Sequence, residues 1–240
     1  MKQNQIAAVP LILAVVFSIA MPQRMYGQDN KNPYPNMAPL DQYLMDRDAE
    51  IALARSAAPD SIARDATILV LGRHGYETAV QGKNGFVCAV DRGWASSFDG
   101  PEFWSPRIRG AVCYNPAAAR SVLPASILRT ELVLSGLSKV EIADRIKAAY
   151  EKKELPALEP AAMSYMLSKQ AYLTDNPITA DGAHHLAHLM FYTPVIGAAS
   201  WGADVPNSPL HLLSGGSPEP FAVFITAVGQ WSDGSPAPVE

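Results

Sequence analysis

The spacing of apolar and polar positions changes several times along this 240-residue chain, and each change predicts an element. Residues 68–71, IleLeuValLeu, form an unbroken apolar run, as in a strand covered on both faces. Residues 77–92 read as a hairpin around Asn84-Gly85, because Asn and Gly tolerate the positive φ of a tight turn. That centre pairs Gln81 with Cys88, Ala79 with Val90, and Glu77 with Arg92, the last an opposite-charge pair across the strands. Leu40, Tyr43, Leu44, Ile51 and Ala58 follow a helical stripe, which predicts a helix over 41–57 ended by Pro59.

The middle of the chain is punctuated for helices. Asn115-Pro116 supplies a cap and a first-turn proline. Pro124 interrupts that helix, and a second runs over 125–135 to a stop at Gly136. Ser138 and Glu141 form a capping box for a third helix to about Lys153, with Ile142, Ile146 and Ala149 inward. Residues 93–109 hold Trp94, Phe98, Phe103 and Trp104 among prolines, which predicts an irregular but packed loop. Short apolar runs at 111–114, 162–168, 186–192 and 221–228 read as strands, those in the last third separated by Pro- and Gly-rich connections. Strands early and late with helices between them predict an α+β domain. Its sheet is mostly antiparallel, with helices packed on one side, in a single domain over 40–231.

The two ends differ from this body. Residues 1–20 combine Lys2 with an uncharged apolar stretch and a small-residue SerIleAla ending at Ala20, the pattern of a cleaved secretory signal. The stretch is shorter than the roughly 20 residues a spanning helix needs, although an uncleaved anchor is the alternative. Residues 21–39 carry Pro33, Pro35 and Pro39 and read as a Pro-rich linker, and 232–240 as a flexible tail. These features predict export, to the periplasm or beyond the cell, with no stable membrane insertion of the mature chain. Loss of Lys2, the sole charge in 1–20, takes the formal net charge from −4 to −5. With no basic cluster, nucleic acid is excluded as a partner.

Export gives the two cysteines meaning. Cys88 and Cys113 are the only pair, and an oxidising compartment favours a disulfide between them over two buried thiols. Closing a loop of that length contributes roughly 3.5 kcal/mol in the chain-entropy account.

Chemistry-bearing motifs are few. His184, His185 and His188 cluster; on a helix, His184 and His188 would stand one turn apart and could hold a metal. On a strand they lie about 13 Å apart and could not. His188 alone, alternating with Met190 and Tyr192 on a strand face, is a candidate general base, against the plainer role of a hydrogen-bonded structural histidine. His74 and Glu77 read as turn residues beside Gly72 and Gly75. No GxSxG elbow, Walker loop or GxGxxG occurs, so no cofactor-binding residue is named and the cofactor is unknown. Trp94, Phe98, Phe103, Trp104, Trp201 and Trp231 could line a ligand cleft or pack a loop layer over the sheet.

Five blocks resemble a group of exported bacterial proteins to which no activity is attached. They are GlyTyrGlu at 75–77, AsnGlyPheValCys at 84–88, AsnProAlaAlaAlaArgSerValLeuPro at 115–124, AlaMetSerTyrMetLeuSer at 162–168 and HisLeuMetPheTyr at 188–192. The resemblance spans most of the domain and implies export but no activity and no functional residues. The expectation is an exported globular protein, non-enzymatic or binding a small ligand. The alternative is a periplasmic hydrolase using His188 or a His184/His188 metal site.

Overall fold

The structure is a computed structural model that describes residues 33–179, 182 and 184–239. The segment read as a signal lies outside them. From Asn32 onward the chain belongs to one compact unit.

Two sheet strands, β1 (Thr67–Gly72) and β2 (Gly75–Val80), form an antiparallel hairpin whose loop is Arg73-His74. Gly75 supplies the positive φ, +128°, that this turn requires. Next comes β3 (Val87–Asp91), which pairs with β1 in parallel, on the side away from β2. The hairpin centred on Asn84-Gly85 therefore does not form. That dipeptide instead turns a crossover around the end of β1, with Gly85 at φ +79°. The Asn84 side-chain amide donates to the Ile62 carbonyl and its oxygen accepts from the Phe86 amide. Asp65 O accepts from Lys83 and Asn84. The crossover passes so close that a Cβ on Gly82 would lie 2.2 Å from the Thr67 nitrogen. A turn dipeptide fixes a local bend, whereas the partner of each strand depends on what the bend docks against.

The expected Glu77–Arg92 pair is likewise replaced. Glu77 sits on the exposed edge and bonds Arg47 at 2.5 Å. Arg92 is fully buried and bonds Glu50 at 2.8 Å, a residue of α1 (Arg47–Arg55). The helix predicted over 41–57 is thus shorter, opening at the Asp46 cap.

The remaining strands are β4 (Gly110–Tyr114), β5 (Met163–Met166), β6 (His188–Pro194), β7 (Leu210–Gly215) and β8 (Phe221–Ala227). The sheet has eight strands in the order β2-β1-β3-β4-β5-β6-β8-β7, antiparallel except for β1–β3. β7 fell within a stretch read as connection; it is an edge strand with alternate residues exposed, ending at Gly215 with Gly216 directly after it. Cys88 and Cys113 stand directly opposite each other on β3 and β4 and form the disulfide.

Four further helices are α2 (Asp60–Ala63), α3 (Pro116–Ser121), α4 (Leu123–Leu134) and α5 (Lys139–Glu151). Their caps follow the sequence: the Asn115 side chain accepts from Ala118, and Ser138 and Glu141 close a reciprocal box. The α+β sheet stands as expected, but the helices divide between its faces instead of packing on one. Leu53, Ala54, Ala57 and Ala63 of α1 and α2 and their connection meet Ile68, Cys88, Val90 and Cys113. Ala118, Val122 and Leu123 meet Leu69, Ala89, Val112 and Tyr114 on the other face. The reason is visible in β3 and β4, where both alternate sets are apolar and both demand cover.

The ends of the domain are also better held than the sequence suggested. Tyr34, Met37 and Ala38 of the Pro-rich segment pack against the Trp94–Phe103–Trp104 cluster. In the tail, Asp233 pairs with Lys169 at 2.8 Å and Ser232 N donates to Leu167 O. Backbone hydrogen bonds and apolar contacts outweigh the polar composition at both places.

Candidate functional site

On the α3–α4 side, the alternate residues of β3 to β8 form one continuous floor. Register places Asp91 opposite Gly110, Met166 opposite His188, and Met190 opposite Ile225. Because Cβ atoms alternate across a strand, Ala89, Asp91, Val112, Tyr114, His188 and Tyr192 share this face. Over the floor stand α4, the loop 94–99 and the β7–β8 connection. The space between is a cavity of about 860 Å3, lined mostly by apolar side chains. That volume is within the range of small-molecule sites.

Arg129 ties the roof together. Its guanidinium donates to the carbonyls of Trp94 and Ser96, lies 4.5 Å over the Phe98 ring, and forms an ion pair with Glu219. Trp94 Nε1 donates to Thr130 on the same helix. Of the aromatic residues read as cleft or packing, Trp94 and Phe98 line the cavity, while Trp104 and Phe103 belong to the buried cluster behind it.

Asp91 is the most perturbed acid of the site. It is partly exposed and lines the cavity. Burial raises its pKa to about 7, against the opposing pull of Arg92 and Arg129. No hydrogen bond to its carboxyl occurs among the described residues, so it is poised as a free donor when protonated. The Tyr192 hydroxyl bonds Ser164 at 3.0 Å, and burial raises the pKa of both Tyr192 and Tyr114. Both remain neutral phenols.

His188 lines the same cavity. Its Nδ1 lies 2.8 Å from the Leu186 carbonyl, which can only accept, so Nδ1 carries the proton. Burial lowers its pKa, keeping it neutral, and leaves Nε2 as an acceptor. His185 packs behind it at 5.4 Å between ring centroids and against Trp231. Burial, then His188, lowers the His185 pKa to about 3.

His184 stands apart, with Nδ1 on the Thr174 carbonyl and its ring against Tyr172. His188 opens β6, whereas His184 lies in a bend before that strand. Among the described residues, no group of three His, Cys, Asp or Glu side chains converges to hold a metal. His74 occupies the exposed β1–β2 turn.

Of the histidines singled out in the sequence, His188 lines the cavity; Asp91, which also lines it, was not singled out. The available signal was a charged residue in phase with Val87 and Ala89, ending the apolar run ValCysAlaValAsp.

Fold and site together define an α+β protein with a largely apolar cavity over one face of its sheet. No protein-family model, no curated protein and no solved structure matched the chain. Among the described residues no helix is long and apolar enough to cross a membrane.

Proposed function

We propose that this is an exported protein that binds a small, mostly apolar molecule in the cavity between its sheet and α4. The observation that carries the reading is Asp91, whose carboxyl has no hydrogen-bond partner among the described residues and stands on the floor of a mostly apolar cavity. A buried polar group without a partner costs stability, and a ligand that satisfies it recovers that cost. Burial of Cys88 and Cys113 as a disulfide supports passage through an oxidising compartment. Native mass spectrometry of protein isolated from its host tests the binding, and the expected result is a retained non-protein mass. Sequencing the N-terminus of the exported form tests cleavage near Ala20.

A second reading, a hydrolase with His188 as general base, is supported by the free Nε2 facing the cavity. Against it, the Tyr192 and Ser164 hydroxyls on the same floor bond each other instead of the imidazole. Ester turnover abolished by His188→Phe would favour this reading over simple binding.

A further inference from the structure

Asp91 and His188 stand on β3 and β6, three strand spacings across and two residues along the strands, or about 16 Å apart on the floor. Between and above them the cavity wall is mostly apolar, with Val122, Met166, Met190, Val223 and Ile225, beside the hydroxyls of Tyr114, Ser126, Thr130 and Tyr192. The two guanidinium groups that reach the cavity are already engaged. Arg92 bonds Glu50, and Arg129 bonds Glu219. Neither is free to fix an anion. A cation drawn to Asp91 would meet the positive fields of the same two arginines, both of which act on that carboxyl.

At two separated places on the floor stand one carboxyl able to donate and one imidazole nitrogen able to accept. Resting on the cavity-binding reading above, we propose that the ligand is an elongated, uncharged molecule with a carbonyl-type acceptor for Asp91 and a hydroxyl donor for His188. A rigid hydroxyketone of steroid size has this chemistry. No bond is made or broken.

The donor role of Asp91 requires its proton. The groups acting on it are Arg92 at the end of its own strand, Arg129 of α4, and the phenols Tyr76 of β2, Tyr114 of β4 and Tyr192 of β6. The arginines stay charged and the phenols neutral from pH 5 to 9, so Asp91 is the group among them that changes state. Affinity for a neutral acceptor therefore falls as pH rises through 7. A cationic ligand would show the reverse slope.

The test uses the folded, disulfide-bonded domain and the neutral dye Nile red as reporter. Testosterone, dodecylamine and dodecanoate compete for it at pH 6 and pH 8.5. Testosterone should displace the dye at the lowest concentration, with affinity lower by about tenfold at pH 8.5, the size of one lost hydrogen bond. Asp91→Asn, whose amide still donates, should bind at both pH values alike. In His188→Phe, testosterone should weaken several-fold while progesterone, which lacks the hydroxyl, should be unchanged relative to wild type. If the dye binds but amine or carboxylate displaces it best, or if the slope with pH is reversed or absent, the ligand class is wrong and the cavity reading survives. If Nile red does not bind at all, the cavity reading fails and this proposal with it.

Discussion

Asp91 faces Gly110 directly across β3 and β4, and the absent side chain of Gly110 is what allows Leu173 and Met166 to close in beside the carboxyl. A Cβ on Gly110 would lie 2.8 Å from Leu173 Cδ2, 3.3 Å from Met166 Cε and 3.5 Å from Asp91 Cβ. Gly110→Ala should therefore displace the Leu173 and Met166 side chains into the cavity. The expected cost is about 1–2 kcal/mol in urea unfolding, as for other small overpacking changes, together with weaker dye binding. Unchanged stability and unchanged binding would show that the floor is not closed there.

Asp91 also sets a pH dependence of stability. Its pKa rises from 3.8 to about 7 on folding. The contribution of the protonated form is complete below pH ~4 and is lost as pH rises through 7. Asp91→Asn should thus gain on wild type in thermal midpoint between pH 4 and pH 8. His185 slopes the other way. Its pKa falls from 6.5 to about 3, so its contribution is complete above 6.5 and lost as pH falls through 3. Parallel midpoint curves for wild type and Asp91→Asn would remove Asp91 from the account.

The buried Glu50–Arg92 pair anchors α1 to the strands beneath it. Glu50 Oε1 accepts from Arg92 at 2.8 Å and from the Leu71 amide at 3.1 Å, while Arg92 also donates to the Tyr43 and Val90 carbonyls. Glu50→Ala leaves an uncompensated buried guanidinium and should cost about 3–5 kcal/mol. The double variant Glu50→Ala with Arg92→Met should cost less than the sum of the singles, because it removes both charges together. Additive losses in chemical denaturation would mean that the two side chains act independently.

The disulfide joins neighbours on adjacent strands that are 25 positions apart in the chain. Replacing Cys88 and Cys113 by alanine together should lower stability by about 3.5 kcal/mol, chiefly through the freer unfolded chain. The loss should appear as a lower urea midpoint at an unchanged or slightly larger slope. A double variant as stable as the parent would show that the cross-link restrains nothing the sheet does not already hold.

Interactions completed within one turn of chain were legible in the sequence. The Asn115 cap, the Ser138–Glu141 box and the Gly136 stop, at φ +78°, depend on neighbours three or four residues away and formed where they were read. The α+β class, the packed aromatic loop and the cysteine pair were also readable, since apolar spacing and the presence of only two cysteines constrain them before any contact is known. Tertiary structure alone decided which strand Asn84-Gly85 delivers to which neighbour, because the choice turned on docking against Asp65 and Ile62 far from the turn. It likewise decided the cavity. Asp91, Arg129 and His188 lie tens of residues apart, and only the register of β3 to β6 beneath α4 puts them around one space. A strand's alternation fixes which side chains share a face, but what roofs that face is settled by long-range packing.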